Sequence, residues 1–266
     1  MIRFLILAGY FELTMYLQLS GKLNQYINLH YSYLAYISMF LSFVLALVQL
    51  IIWVKQMKIH SHLSGFWAKV ASIFLLCIPL FVGLFFPTVT LDSQTVSAKG
   101  YHFPVAAGSS KEIQQDEGTT TQYLKPDTSS YFTKSAYESE MKQAAKKYVD
   151  KKVIQVTTEN YMEVMEVIYD YPDQFAGKTI ELTGFVYNDP NNKDSQFLFR
   201  FGIIHCIADS GVYGLLTTGA PQHFENNTWI HAKGTLSIEY HKQLKQSLPV
   251  LHISDCQTIT KPDNPY

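Results

Sequence analysis

The chain has 266 residues, 47% of them hydrophobic and only 16% charged, with a formal net charge of −1. Those values exclude a disordered chain, a collagen-like repeat and a strongly basic nucleic-acid binder, while the length admits one or two domains. The averages conceal a division: 59 of the first 90 residues are hydrophobic and those 90 carry a net +4, which leaves −5 on residues 91–266.

Three apolar stretches in the first part have the length of a bilayer crossing, roughly 20 residues. The first, residues 2–19, is interrupted by Glu12 and Gln18. No small-x-small cleavage site follows it, and Ser20-Gly21-Lys22 offers no lipid-attachment cysteine, so it reads as an uncleaved helix rather than a signal peptide. The second, residues 33–54, has Gln49 as its only strongly polar side chain. The third, residues 66–86, contains Lys69 one turn inside, with Pro79 and Gly83, which membrane helices tolerate.

With three crossings, Arg3, Lys55, Lys58 and Lys69 share one side of the membrane, against Lys22 alone on the other. Cytoplasmic loops are enriched in Lys and Arg, so residues 91–266 are expected outside the cytoplasm. Glu12 is costly in hydrocarbon and therefore marks either a protonated carboxyl hydrogen-bonded within this bundle or a contact with a second membrane protein.

Residues 91–135 turn to Ser, Thr, Gly, Gln and Asp and read as a polar linker between a membrane domain, 1–90, and an outer domain, 136–266. The outer domain opens with a helix over Ala136–Tyr148, in which Tyr137, Met141, Ala145 and Tyr148 recur at helical spacing. A short strand follows at Val153–Val156. A second helix is then expected, capped by Thr158 and ended by Pro172, with Tyr161, Met162, Met165, Ile168 and Tyr169 as its apolar side. After Gly177 the period becomes two. Strands are expected around Ile180–Val186, over Phe197–Ile207 (apolar on both faces, hence central), Val212–Leu216, Trp229–Ile238 and Val250–Ile259, with a turn at Asn188-Asp189-Pro190-Asn191-Asn192. Five strands in some 85 residues predict a small closed barrel of the oligonucleotide/oligosaccharide-binding (OB) class, with a small sandwich as the alternative.

Candidate chemistry is sparse. Cys206 and Cys256 lie in the outer half and Cys77 in the third span; the outer pair forms a disulfide only if its strands bring the alpha carbons within about 7 Å. His205, His223, His231, His241 and His252 accompany them, but neither His205-Cys206 nor His252 with Cys256 has the spacing of a zinc-ligand pair. The Asp189 turn lacks the central glycine of a calcium loop and has Arg200 where the bidentate Glu belongs. No nucleophile elbow, phosphate loop or H-E-x-x-H motif is present, so no catalytic residue and no cofactor is assigned and the chain is not expected to be an enzyme. A −5 half repels phosphates, which argues against nucleic acid. Trp229 and His231 are expected on the exposed side of their strand, as stacking or packing residues.

The residues resemble the YcgQ family of uncharacterised bacterial membrane proteins over nearly the whole chain. The resemblance is carried by Leu19-Ser20-Gly21-Lys22-Leu23, Tyr26-Ile27-Asn28, His60-Ser61-His62 as a reduced histidine-rich loop, and Leu91-Asp92-Ser93 with Lys99-Gly100. It extends through Phe175-Ala176-Gly177-Lys178, Gly184-Phe185-Val186, Arg200-Phe201, Cys206-Ile207-Ala208-Asp209 and Asn264-Pro265-Tyr266. Members commonly carry two adjacent cysteines where this chain has His205-Cys206, a departure that weakens a thiol-redox or dithiolate role and leaves His205 and Cys206 as the possible metal ligands. The resemblance implies a multi-spanning permease partner in a bacterial plasma membrane and no measured activity. Together these readings point to a membrane-anchored accessory subunit that docks through Glu12 and whose outer barrel caps or gates the permease or binds a ligand. Arg200, Cys206 and Asp209 are motif residues of unassigned role, with an Arg200–Asp209 ion pair as the structural explanation. A metal- or thiol-handling binding protein is the alternative.

Overall fold

The computed structural model describes residues 1–57, 65–86, 91–101, 134–190, 196–241 and 246–266. His60-Ser61-His62, Lys58, Asn191-Asn192 and residues 102–133 of the polar stretch lie outside them. The chain divides into two compact units: Met1–Thr90 with His205–Ile207, and Leu91–Ile204 with Ala208–Tyr266.

The first unit is built on α1 (Ile2–Leu19), α2 (Ser32–Val54) and α3 (Phe66–Phe85), each long and apolar enough to cross a membrane. Two short 3-10 turns, Lys22–Gln25 and Leu29–Tyr31, join α1 to α2, the second opened by Asn28, whose side chain accepts the His30 N–H. Helix α1 packs against both α2 and α3. Lipid offers no hydrophobic drive for this association, so close packing and polar contacts must supply it. Both are present. Gly9 faces Leu80 and Gly83 faces Leu13, where an added Cβ would approach the leucine methyls to 3.0 and 2.9 Å. The Tyr10 hydroxyl donates to the Leu76 carbonyl at 2.8 Å, in the turn before Pro79. Phe11 and Phe43 bring their rings to 5.3 Å across α1 and α2. Tyr10→Phe is accordingly expected to loosen α1 from α3 by about 1 kcal/mol, readable as weaker protection of α3 in detergent-resistant folding assays.

The second unit begins with a short helix, α4 (Ser93–Lys99), whose N-cap Asp92 accepts from the Gln94 and Thr95 amides. Helix α5 (Lys134–Val149) buries Met141, Ala144, Ala145 and Tyr148. Strand β1 (Val153–Gln155) leads to α6 (Tyr161–Asp170), which Asn160 rather than Thr158 precedes as N-cap residue. Thr158 is drawn elsewhere, its hydroxyl accepting from Arg200 at 3.1 Å. Pro172 does not simply end α6; it opens one further turn, α7 (Pro172–Phe175), the position where its missing N–H costs nothing.

The strands are β2 (Thr179–Asn188), β3 (Gln196–Gly202), β4 (Gly211–Thr218), β5 (Trp229–His241) and β6 (Gln246–Thr258). They run β2-β3-β4-β6-β5 and close because β5 also pairs with β2. The β4–β6 pairing is parallel and the other barrel pairings are antiparallel; β1 adds to β2 in parallel outside the ring. This is a closed five-stranded barrel of the OB-like class, not a sandwich. A register shift at Lys233/Gly234 gives β5 the extra bend that closure demands. Strand β3 is shorter than its apolar run suggests: Ile203 to Ser210 leave the sheet, with Ile207–Asp209 as a 3-10 turn.

Side chains on one face of each strand fill the barrel: Leu182, Leu198, Leu215, Ala232 and Leu251 are almost entirely buried there, with Met141, Val164, Met165 and Ile168 of α5 and α6 in the same core. The opposite face carries polar residues over part of its extent, including Glu181, paired with Lys233 at 2.5 Å. Over β2, β3 and β4 it carries a second apolar cluster instead, covered by residues 91–101 and the C-terminal tail.

Candidate functional site

Glu12 lies on the exposed side of α1, in line with Leu5, Met15, Tyr16 and Leu19. Those positions repeat at three, four and seven residues, so they form one stripe along the helix. Among the described residues no hydrogen-bond or ion-pair donor reaches the Glu12 carboxyl. At one end of the stripe, Lys22 Nζ donates to Tyr16 Oη at 3.0 Å and lies over the same ring. The helices therefore leave their one acidic side chain facing outward, in a span where a carboxyl is costly.

The outer-domain residues singled out by sequence separate into two groups. Arg200, on β3, is 2% exposed. Its Nη2 donates to the Asn264 carbonyl at 2.8 Å and to Thr158, its Nε to the Pro265 carbonyl at 3.4 Å, and its guanidinium sits 5.3 Å from the Tyr161 ring. The ion pair with Asp209 is thus replaced by a clamp on the C-terminal backbone, and burial pulls the guanidinium below its ordinary pKa. Carbonyl oxygens satisfy an arginine's fork without a carboxylate. Sequence gave no sign of this because the partners are backbone atoms 64 and 65 residues away.

His205 and Cys206 belong to the first unit. Cys206 forms an isolated antiparallel bridge with Ile27; the Asn28 amide donates to the His205 carbonyl at 3.0 Å and the Ile207 amide to the Tyr26 carbonyl at 2.9 Å. The His205 ring stacks on Tyr31 with centroids 5.6 Å apart. Two motif stretches, Tyr26-Ile27-Asn28 and His205-Cys206-Ile207, are therefore partners through their backbones. Asp209 closes the 3-10 turn that follows.

None of the three cysteines is in a disulfide. Among the described residues no three His, Cys, Asp or Glu side chains converge to hold a metal ion. His252 has both ring nitrogens engaged, Nδ1 at 2.8 Å from Thr218 Oγ1 and Nε2 at 2.6 Å from Glu239 Oε1. His231 Nδ1 meets Thr183 Oγ1 at 3.0 Å. Trp229, expected exposed, is buried against Phe185. A polar recess of about 280 Å³ lined by Gln196, Thr217, Thr218 and His223 opens at the barrel's edge, without a charged side chain in its wall. Burial, with Asp255 beside it, pushes the Cys256 thiol up. Its alkylation rate is expected to keep rising past about pH 8.5, the ordinary thiol value, as stopped-time labelling against pH would show.

The fold and these features define a membrane-anchored protein with an OB-like barrel and no assembled catalytic centre among the described residues. Residues 2–102 match the DUF1980 N-terminal domain and residues 131–266 the DUF1980 C-terminal domain, so the chain belongs to the DUF1980 family. It is 67% identical over 266 residues, all of this chain and 98% of the other, to the "Putative two-component membrane permease complex subunit" of Streptococcus mutans serotype c. It is 40% identical over 286 residues, again all of this chain and 98% of the other, to "UPF0703 protein YcgQ" of Bacillus subtilis. Among solved structures, asparaginyl-tRNA synthetase from Pyrococcus horikoshii aligns over 35% of this chain and 23% of that one, at 14% identity and a TM-score of 0.22, too remote to carry a comparison.

Proposed function

We infer that the chain is the accessory subunit of a multi-spanning membrane permease and that it binds the permease through the stripe of α1 carrying Glu12. The observation behind this reading is the outward-facing Glu12 of the first span, which has no partner among the described residues. That nothing among the described residues satisfies this carboxyl supports a donor on a neighbouring membrane helix. The name of the Streptococcus mutans relative, a permease complex subunit, supports the same reading. In this arrangement the outer barrel stands on the extracytoplasmic side and caps or gates the permease mouth.

Affinity purification of the full chain in mild detergent tests it. Glu12→Leu is expected to lower the co-purified permease about five- to thirtyfold, the loss that follows when one buried polar contact worth about 1–2 kcal/mol disappears. Glu12→Gln, which still accepts a hydrogen bond, should retain part of it. Equal recovery with Glu12→Leu, or no permease with the native chain, overturns the reading.

The orientation has a separate test. With Cys77 and Cys206 replaced by serine, Cys256 should react with a membrane-impermeant thiol reagent in intact cells. Labelling that appears only after lysis would place the barrel in the cytoplasm.

A further inference from the structure

We propose that the C-terminal end of α5 and the start of β1 form a docking surface for an anionic bilayer, made by Lys142, Lys146, Lys151, Lys152 and Val153. The charge distribution is the first ground. Residues 142–152 hold five lysines against one acid, Asp150, a net +4. Residues 91–266 sum to −5, so everything in them outside this run carries −9. A basic patch on an otherwise acidic body makes a dipole. Near a negatively charged surface, whose field reaches about one Debye length (roughly 8 Å at physiological salt), that dipole turns the patch inward and the acidic remainder away.

The patch has no task in the fold. Lysines at a helix C-terminus can serve its last carbonyls, but Lys178 already does so, its Nζ donating to the Val149 and Lys151 carbonyls. Lys147 is engaged by Glu163 at 2.7 Å, and Lys151 lies 5.0 Å over the Tyr148 ring. Lys142 and Lys146, one helical turn apart, and Lys152 are exposed and enter no ion pair among the described residues. Beside them Val153 is 44% exposed; it and Tyr240 are the large apolar side chains that the described residues of the second unit leave open to solvent. Long basic side chains around a shallow apolar contact suit the headgroup level of a membrane. A bilayer is favoured over a dissolved polyanion because the chain brings one with it. In sequence only residues 86–90 separate α3 from Leu91, so headgroups are present at high effective concentration. Each lysine brought to an anionic surface favours the docked state about fivefold. This reading is independent of the permease contact at Glu12.

The test uses the full chain, without permease, in lipid nanodiscs of phosphatidylcholine alone or with about a third phosphatidylglycerol. A water-soluble acylating reagent, read by mass spectrometry, reports which lysines are accessible. Lys142, Lys146 and Lys152 are expected to react at least about fivefold more slowly in the anionic discs, with Lys261 of the C-terminal tail unchanged. Salt at about 1 M, where the Debye length falls to about 3 Å, should abolish the protection. Lys142→Glu with Lys146→Glu should abolish it at Lys152 while the melting temperature stays native. Equal acylation in the two lipids, or protection of Lys152 kept by the double variant, overturns the proposal. Protection that survives high salt would mark a cover of protein and also defeats it. So does protection by soluble polyphosphate in neutral discs with none from phosphatidylglycerol, which would assign the patch to a dissolved polyanion.

Discussion

An outer domain cut at residue 134 is expected to aggregate or to unfold at a far lower temperature, whereas residues 91–266 should unfold cooperatively. The cause is the cover over β3 and β4. Val96 is fully buried, and Leu91 and Tyr101 are partly buried against the same aromatics. At about 1.5–3 kcal/mol for a fully buried apolar side chain, and less for the two partial ones, losing all three forfeits roughly 4–6 kcal/mol. That is comparable with the whole stability of an ordinary domain, about 5–15 kcal/mol. The cut would also bare six large aromatic side chains. Thermal and urea unfolding of the two fragments, with light scattering to follow association, measures the difference directly. Equal midpoints would mean that residues 91–101 contribute nothing to the barrel. Composition ends the membrane domain at 90 and opens the outer domain at 136; the contacts place residues from Leu91 onward in the barrel's unit.

Arg200→Met should be the most damaging single substitution in the outer domain, with a loss of about 3 kcal/mol. The side chain removed is buried and supplies donors to two carbonyls and one hydroxyl, and buried acceptors left without a donor cost about 1–3 kcal/mol each, partly relieved by relaxation. The effect is expected to travel. Asn264 and Pro265 precede Tyr266, whose hydroxyl accepts the Leu91 amide at 3.3 Å and whose ring joins the outer aromatic cluster. Hydrogen exchange should therefore quicken first in residues 259–266 and then at Leu91. Arg200→Lys keeps the charge but not the planar fork, so it should restore only part of the stability. A native melting temperature in Arg200→Met would show the clamp to be energetically idle.

How far the sequence was readable follows from where each signal resides. The three spans were plain because each is a local run whose length alone is diagnostic. The barrel was nearly as plain, since alternation in β2 and β5 marks one face as interior. Strand β3 broke the alternation with Gln196-Phe-Leu-Phe-Arg-Phe, apolar on both faces, and that correctly signalled a strand covered on both sides. It did not say by what. The covering residues, Leu91-Asp-Ser-Gln-Thr-Val-Ser-Ala-Lys-Gly-Tyr, hold three apolar anchors five residues apart, a spacing that fits neither a helix face nor a strand face, and their polar composition reads as linker. The capping Asp92 was the one local clue. Glu12 was legible because hydrocarbon makes any carboxyl conspicuous. Arg200 stood out only by resemblance, and its work as a clamp was hidden in main-chain oxygens. Phe197–Ile207 ran too long because apolar residues continue past Gly202 into segments that pair with Tyr26 and Asn28 rather than with β4.

The placement of Tyr101 and Lys134 in the same compact unit alters what the polar stretch between them is. In sequence it joins two parts of one unit. An epitope tag or a protease site placed within residues 102–133 should leave both units intact. The same insertion a dozen residues earlier would break into the barrel's own cover.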